Sequence, residues 1–246
     1  MKAMLLAAGR GERMRPLTDH IPKPLLLAGG KPLIAWHIER LVRAGVTDMV
    51  INYAHLGAQF ENTLGDGSRF GARIQYSPEP PGALETAGGI ANALPLLDGS
   101  DSSGTKAGET FAVINSDIYC DYDFSRLAEF AARLASGSDL AHLVLVGNPA
   151  HHPQGDFYLR DGRVIANGHQ PEGKLTFSGI GIYRPALFAP IARGSAAPLA
   201  PLLRAQIAQG RVGGEHYTGR WVDVGTPQRL DELDKLLRAT HNDAHV

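Results

Sequence analysis

Short apolar segments alternate with segments of helical pattern through the first 146 residues of the chain. The predicted strands are residues 3–8, 48–53, 73–76, 111–115 and 141–146. The predicted helices between them are residues 32–44, 55–64, 85–94 and 123–135. The first strand is apolar at every position, as expected for a strand buried on both faces of a parallel sheet. Repeated strand–helix units predict an α/β fold, a Rossmann-like and mainly parallel sheet flanked by helices.

The pattern changes in the second half of the chain. Asp161-Gly162 separates two short apolar segments, 156–159 and 163–166, and this arrangement predicts a β-hairpin. The other predicted strands are 176–183, 212–217 and 221–222, and the predicted helices are 185–192, 198–209 and 227–239. No linker separates the halves, so we expect one domain over residues 1–246. Its core would be 1–150, and 151–240 would add a small antiparallel lobe and the last helix.

Composition and charge exclude several functional classes. The chain has 24 basic and 25 acidic residues and a formal net charge of −1, which argues against a general nucleic-acid binder. No apolar run reaches the ~20 residues that cross a bilayer, so we expect no membrane partner. A single cysteine, Cys120, indicates a reducing compartment, and we expect a cytoplasmic protein. Residues 98–109 contain almost no apolar side chains and are predicted to form an exposed insertion.

A glycine-containing loop follows the first predicted strand. Residues 6–18 read Leu-Ala-Ala-Gly-Arg-Gly-Glu-Arg-Met-Arg-Pro-Leu-Thr, and residues 22–25 read Pro-Lys-Pro-Leu. Glycines let backbone N–H groups face an anion directly. A Walker loop would end in Gly-Lys-Ser/Thr, and a Rossmann fingerprint would need a third glycine where Met14 stands. The loop therefore predicts a phosphate site of another kind.

The same region is locally basic in a chain that is nearly neutral. Residues 10–31 contain five Lys or Arg and two Asp or Glu, a local charge of +3. We expect Arg13, Arg15 and Lys23 to add charge to the phosphate site, and the prolines on both sides of Lys23 restrict its position. Arg10 is equally well explained as a solvent-exposed side chain.

Two carboxylates follow predicted strands. Asp117 comes after strand 111–115 in Asn-Ser-Asp, and Asp223 lies in Trp-Val-Asp-Val-Gly-Thr at residues 221–226. Open α/β sheets bind ligands at the carboxyl ends of their strands. Two carboxylates ~4 Å apart repel by about 4 kcal/mol at an effective dielectric of about 20, which favours a cation between them. Mg²⁺ prefers oxygen ligands and bridges to phosphate, so we predict Mg²⁺ at this pair. An N-cap role is the alternative for Asp223.

Two glycines stand in the first turns of the predicted helix 85–94. Residues 84–89 read Leu-Glu-Thr-Ala-Gly-Gly. Each glycine costs a helix about 1 kcal/mol, so Gly88 and Gly89 are not there for helix stability. Close approach of a ligand would explain them, and so would a tight crossing of the helix with another part of the chain.

The run Gly-x-Gly-x-Arg-Met-x-Pro-Leu-Thr with the later Pro-Lys-Pro-Leu resembles the sugar-1-phosphate nucleotidyltransferase family, and the resemblance covers nearly the whole chain. It implies that the glycine loop wraps a nucleoside triphosphate and that Arg13 and Lys23 are the family's arginine and lysine. It also implies that Asp117 and Asp223 hold Mg²⁺. The family usually has Gly before the first of these aspartates, and this chain has Ser116, which is also small.

The resemblance implies a reaction as well. A sugar 1-phosphate would attack the α-phosphorus of a nucleoside triphosphate and release pyrophosphate. Residues 84–89 resemble the motif of a branch of the family that acts in cell-wall recycling and uses UTP and N-acetylmuramate 1-phosphate, so we expect these substrates. The alternatives are glucose, mannose or N-acetylglucosamine 1-phosphate with dTTP, GTP or UTP, and a non-catalytic nucleotide-sugar sensor. We expect a monomer or a weak homo-oligomer.

Site residues follow from matching the family's motifs to this chain. Residues 1–150 would bind the nucleotide and 151–240 the sugar, and Glu79 is near the position of a base-reading glutamine in relatives. The expected catalytic residues are Arg13, Lys23 and Asp117. The expected nucleotide contacts are Ala7, Ala8, Gly9, Gly11, Glu12, Arg13, Lys23, Glu79, Glu85, Gly88 and Asn115. The expected sugar-phosphate contacts are Glu85, Thr86, Asp117, Gly155, Thr176 and Gly179.

Overall fold

The computed structural model describes residues 1–98, 110–166 and 173–243, with side chains up to residue 240. The predicted insertion at 98–109 lies, beyond Asp98, outside the described residues. The strands are β1 Ala3–Leu6, β2 Leu27–Ala28, β3 Lys31–Pro32, β4 Asp48–Tyr53, β5 Arg73–Pro78, β6 Phe111–Asn115, β7 Ile118–Cys120, β8 Ala141–Val146, β9 Tyr158–Arg160, β10 Arg163–Ile165, β11 Thr176–Tyr183, β12 Val212–Tyr217 and β13 Trp221–Asp223. The helices are α1 Leu33–Arg43, α2 Ala58–Leu64, α3 Glu85–Leu97, α4 Leu127–Ser136, α5 Leu199–Ala208 and α6 Pro227–Asp243. None of these helices is both long and apolar enough to span a membrane.

Within the described residues, nine strands form one sheet in the order β5-β4-β1-β6-β11-β8-β12-β10-β9. Neighbours among β5, β4, β1 and β6 are parallel, and β8 is parallel to β12. β11 is antiparallel to both β6 and β8, and the edge β12-β10-β9 is antiparallel. The predicted α/β fold, a mainly parallel sheet with a smaller antiparallel part, is therefore confirmed.

The central strand β1 explains why helices cover both faces of the sheet. Its register places Met4 beside Val50 and Val113, while the next residue, Leu5, points to the opposite face. The Met4 face packs against α3 and α5, and the Leu5 face packs against α1, α2 and α4. Both side chains are fully buried, as the unbroken apolar sequence of this strand predicts.

Several elements differ from the sequence-based expectations. The predicted helix 185–192 is wrong, because the chain forms only a 3₁₀ turn at Pro185–Phe188. Pro190 has no N–H group with which to continue helical hydrogen bonding. The helix expected from residue 55 begins at Ala58, after Leu56 with a left-handed φ of 54°. β2, β3 and β7 contain only two or three residues, too few to give a periodic signal.

The carboxyl ends of β1, β4 and β6 lie side by side at one edge of the sheet, as the ends of parallel strands do. The Ser116 N–H donates to the Leu6 carbonyl at 3.2 Å, so the segments that follow β1 and β6 stay in contact. β7 continues from this edge and pairs antiparallel with β13 in a separate two-stranded ribbon. Residues from the end of the chain are thereby brought to the edge formed by its first strands.

Candidate active site

Two adjoining clefts open at this edge of the sheet. The first has a volume of about 400 Å³ and the second of about 420 Å³, and both are lined by Arg13, Asn115 and Asp117. The predicted site residues that line the first cleft are Ala7, Ala8, Gly9, Gly11, Glu12, Arg13, Lys23, Glu79, Glu85, Thr86, Asn115 and Asp117. Those that line the second cleft are Arg13, Asn115, Asp117, Thr176 and Asp223.

The loop after β1 forms one wall of the first cleft. Gly11 has a left-handed φ of 66°, a conformation that glycine adopts without steric cost. A Cβ at this position would lie 3.1 Å from carbon atoms of both Lys23 and Thr18. The Thr18 hydroxyl donates to the Gly11 carbonyl at 2.9 Å. The turn is therefore packed directly against Lys23, while Gly9 and Gly11 both line the cleft.

The positive charge of the loop reaches the clefts through two side chains. Lys23 is buried, with 7% of its side chain exposed, and its Nζ lies 2.7 Å from Asp117 Oδ2. Arg13 lies where the two clefts meet. The other basic residues of the region pair with acidic neighbours and line neither cleft; these are Arg10, Arg15 and Lys31. The local charge of +3 is therefore not all directed at one site.

The backbone around Asp117 is fixed by buried hydrogen bonds. The Ser116 hydroxyl donates to the Leu6 carbonyl. On the other side, the His37 ring forms a hydrogen bond of 2.7 Å through Nε2 to the Ile118 carbonyl. Burial lowers the pKa of His37 to about 4, so the neutral ring donates this bond at neutral pH. Asp117 is thus held between two anchored neighbours.

Asp223 is brought to the same place by the ribbon. β13 pairs with β7 so that Asp223 lies opposite Ile118, and the Val224 N–H donates to the Asp117 carbonyl at 3.2 Å. The carboxylate of Asp223 accepts a hydrogen bond of 2.7 Å from Arg229, and His151 Nε2 lies 3.0 Å from the same oxygen. The Thr226 hydroxyl accepts a backbone N–H of the first turn of α6, so Thr226 is the N-cap of this helix. The Asp223 carboxylate instead pairs with side chains.

The donor set fits a hard divalent cation. Asp117 and Asp223 both line the second cleft, and they offer oxygen ligands from the turn before β7 and from β13, the strand that pairs with β7. The described residues contain no group of three or more His, Cys, Asp or Glu that could hold a metal. A site of two carboxylates is what Mg²⁺ uses when substrate phosphates and water complete its coordination. The expected cation between them is not required for charge balance, because Lys23 and Arg229 already pair with the two carboxylates.

A buried polar network forms part of the wall of the first cleft. Asn52 accepts the Ala7 N–H at 2.9 Å and donates to Glu79 Oε1 at 2.6 Å. The other Glu79 oxygen accepts the Leu84 N–H at 2.8 Å. Both polar side chains are buried, and both line the cleft. Asn52 was missed from the sequence, although an asparagine inside the apolar strand β4 is a signal that could have found it.

The segment before α3 reaches the cleft, but Gly88 does not. Ala83 and Glu85 have left-handed φ values of 58° and 57°, uncommon for residues other than glycine, and both line the first cleft. Gly88 lines neither cleft, and a Cβ there would lie 2.3 Å from the Ser195 carbonyl oxygen. Its backbone N–H donates to the Ala197 carbonyl at 3.0 Å. Tight packing of the helix against the 195–197 segment therefore accounts for this glycine, and its expected contact with the nucleotide stays a prediction.

Some of the residues expected at the sugar line a cleft and others do not. Thr176 lines the second cleft, and its hydroxyl donates to Asn148 at 2.8 Å. Gly155 and Gly179 line neither cleft. A Cβ at Gly155 would lie 2.7 Å from the Asn148 side chain, and a Cβ at Gly179 would lie 2.7 Å from that of Asn115. These two glycines make room for neighbouring amide side chains, and their expected contact with the sugar ring stays a prediction.

Comparisons with known proteins agree with this arrangement. A nucleotidyl transferase family profile matches residues 2–239. The chain is 54% identical to N-acetylmuramate alpha-1-phosphate uridylyltransferase of Neisseria meningitidis serogroup B, over 97% of this chain and 99% of that protein. It is 29% identical to mannose-1-phosphate guanyltransferase beta-A of Xenopus laevis, over 93% of this chain and 62% of that protein.

Solved structures share the fold. A Bacillus anthracis protein studied as a candidate glucose-1-phosphate thymidylyltransferase, in complex with sucrose, superposes with a TM-score of 0.80 at 22% identity, over 97% of this chain and 95% of that one. UDP-glucose pyrophosphorylase complexed with UDP-glucose has a TM-score of 0.73 at 20% identity, over 97% and 98%. At such identities the likeness concerns the fold alone. The family profile and the Neisseria relative go further, and with the clefts described above they show that the chain belongs to the sugar-1-phosphate nucleotidyltransferase family.

Proposed function

We propose that the protein transfers a uridylyl group from UTP to N-acetylmuramate 1-phosphate, forming UDP-N-acetylmuramate and pyrophosphate. One observation carries the proposal: a relative named for this activity is 54% identical and aligns over 97% of this chain and 99% of its own length. We place the reaction in peptidoglycan recycling and in the cytoplasm, where UTP is made. The protein would act as a monomer or a weak homo-oligomer.

The chemistry is a direct in-line transfer. An oxygen of the sugar phosphate forms a bond to the α-phosphorus of UTP while the bond from that phosphorus to the bridging oxygen breaks, and pyrophosphate leaves. This reaction needs no nucleophile from the protein. Cys120, near Asp117 in sequence, is buried, and burial raises the pKa of its thiol to about 11, so it stays protonated at neutral pH.

Positioning and charge supply the catalysis. The glycine loop would bind the triphosphate through backbone N–H groups at Gly9 and Gly11, which line the first cleft. Lys23 is placed beneath the loop and would neutralise charge on the phosphates. Arg13, at the junction of the two clefts, is placed to contact the phosphates of both substrates at once.

The nucleotidyltransferase family generally uses a divalent metal. We assign Mg²⁺ to Asp117 and Asp223, with the remaining ligands from phosphate and water. When bound there, Mg²⁺ would supply Lewis-acid neutralisation of the phosphate charge. Asp117 directly precedes β7 and Asp223 ends β13, which pairs with β7, and the Val224 N–H donates to the Asp117 carbonyl, so the backbone sets their relative position before any ligand arrives.

Different residues that line the clefts would bind the base and the sugar phosphate. Glu79 is a hydrogen-bond acceptor in the wall of the first cleft, and uracil presents a donor at N3 where cytosine presents an acceptor. We therefore assign Glu79 to the base. Glu85 and Thr86, which line the first cleft, and Thr176, which lines the second, are assigned to the sugar phosphate.

Pyrophosphate release across a matrix of substrates tests this assignment. The nucleotides are UTP, dTTP and GTP, and the sugars are the 1-phosphates of N-acetylmuramate, N-acetylglucosamine, glucose and mannose. We expect kcat/KM for UTP with N-acetylmuramate 1-phosphate to exceed every other pair by about tenfold or more. Another pair in first place would contradict the substrate assignment. Binding of nucleotide sugars without release from any pair would instead support a sensor.

A further inference from the structure

Arg229 occupies a carboxylate that the proposed metal needs. Its Nη1 donates to Asp223 Oδ2 at 2.7 Å and to the Asp223 carbonyl at 2.9 Å. The same Nη1 lies 3.1 Å from Nε2 of His151. The side chains of Arg229 and Asp223 are each 21% exposed, so solvent screens their attraction only in part. Local sequence patterns do not single out this arginine.

The residues around Asp223 provide the space for this pair. A Cβ at Gly225 would lie 2.9 Å from Arg229 Nη2 and 3.1 Å from Asp223 Oδ2, so a larger residue would push the two side chains apart. Thr226 fixes the first turn of α6 by accepting the Arg229 N–H at 3.3 Å. Gly225 also lines the first cleft and Asp223 lines the second, so the ion pair lies beside both clefts.

A metal ion and Arg229 compete for the same oxygen. A guanidinium in contact with a ligand carboxylate repels an incoming divalent cation and already satisfies the charge of that carboxylate. Asp117 is in a similar position, because Lys23 lies 2.7 Å from its Oδ2. A nucleotide brings several negative oxygens and so offsets the repulsion between the metal and these basic side chains.

We propose that Arg229 is a stand-in cation for the metal site. It holds the Asp223 carboxylate in position when no metal is bound, and it keeps the affinity for free metal low, so that metal binds together with the nucleotide. The inference rests on the proposed function, which supplies both the metal and the nucleotide. Arg229 is a positioning residue that acts through Asp223.

The test measures metal binding rather than turnover. Mn²⁺ is titrated into the full-length protein without nucleotide, and the free ion is followed by electron paramagnetic resonance. We expect Arg229→Gln to bind Mn²⁺ about tenfold more tightly than the wild type, because one repelling charge is gone, and Arg229→Lys to stay within about twofold. Arg238→Gln is the matched control: it removes an arginine of the same helix that pairs with Asp234 at 2.7 Å, and it should change nothing.

A second measurement examines the coupling between metal and nucleotide. UTP affinity is measured by calorimetry with and without Mn²⁺ in the absence of sugar phosphate, and the complex of Mn²⁺ with free UTP is the same for all variants. The gain in UTP affinity from Mn²⁺ should be about tenfold smaller in Arg229→Gln than in the wild type. An unchanged gain would overturn the inference.

The outcomes separate this inference from the proposed function. Asp223→Asn should weaken Mn²⁺ binding. If it does so and Arg229→Gln binds Mn²⁺ no more tightly than the wild type, the stand-in role is overturned and the metal assignment stands. If Asp223→Asn binds as the wild type does, the assignment of metal to Asp223 is overturned, and the role of Arg229 with it.

Discussion

Asp117 and Asp223 reach the same cleft but are supported in different ways. Asp117 follows a core strand, and hydrogen bonds of the buried residues Ser116 and His37 anchor the chain on both sides of it. Its partner Lys23 is itself buried. The Asp117 side chain is itself 38% exposed, but the side chains that hold it and its neighbours in place are buried.

Asp223 lies instead on the two-stranded ribbon, and its side chain contacts partly exposed partners. Its carboxylate is held by Arg229 and His151, whose side chains are 21% and 37% exposed. Long side chains at partly exposed positions can change rotamer at small cost, so the Asp223 side of the site can adjust. The comparison indicates that one carboxylate fixes the geometry of the site and the other adapts to what binds.

The largest expected effects come from removing each carboxylate. Asp117→Asn should lower kcat by about 10³-fold and Asp223→Asn by about 10²-fold, because the rigid ligand has no substitute while the adaptable one has neighbours that can shift. Turnover is measured by pyrophosphate release, and circular dichroism checks that both variants fold. Full activity in either variant would remove that residue from the site, and equal losses would remove the distinction between the two sides.

A substitution of Lys23 tests the importance of the buried positive charge beside Asp117. Lys23→Met should lower kcat/KM by about 10²-fold, because a buried charge that faces the phosphates is lost and Asp117 is left without its partner. Arg15→Met is the matched control, since Arg15 belongs to the same loop but is exposed, pairs with Asp19 and lines neither cleft. A similar loss in both variants would show that the general charge of the loop matters more than this one position.

The hydrogen bond from His37 to the Ile118 carbonyl, next to Asp117, can be tested through its effect on stability. Burial lowers the pKa of His37 from 6.5 to about 4, so between these values the unfolded chain takes up a proton that the folded protein does not. The free energy of unfolding should therefore fall as the pH falls, with a contribution from His37 of about 2 kcal/mol between pH 7 and pH 4.5. Urea unfolding at the two pH values measures this loss, and His37→Gln should reduce it.

The control for this variant is His142, the pKa of which burial also lowers to about 4. His142 stacks on Phe130 and lines neither cleft. His142→Gln should reduce the pH dependence by a similar amount and leave kcat unchanged, whereas His37→Gln should also lower kcat. Unchanged turnover in His37→Gln would mean that the hydrogen bond to Ile118 supports stability alone.

Local patterns in the sequence were sufficient for much of the fold and for naming several residues that the structure brings to the two clefts. The strands around β1 and their helices follow from short-range periodicity, and Lys23, Asp117 and Asp223 follow from motifs and from their places after strands. The position of β11 between β6 and β8 was not predicted, because strand order depends on contacts between distant residues. His37, for example, supports a carbonyl 81 residues away in the sequence.

Two local arguments left out contacts from distant parts of the chain. The repulsion between Asp117 and Asp223 was taken to favour a cation between them, and Lys23 and Arg229, which come from elsewhere in the chain, already place positive charge beside both carboxylates. Gly88 suggested a ligand, yet the close neighbour is the backbone of the 195–197 segment. In both cases the sequence shows that something must be near the residue, and only the fold shows what it is.

The insertion of β11 into the middle of the sheet has a consequence for how the chain folds during synthesis. β11 follows both β6 and β8 in the chain but lies between them, so the facing edges of these strands have no partner until residue 183 has left the ribosome. Open strand edges are prone to pairing with other chains. The early strands therefore depend on a late one for protection, and the two halves of the molecule complete a single sheet together.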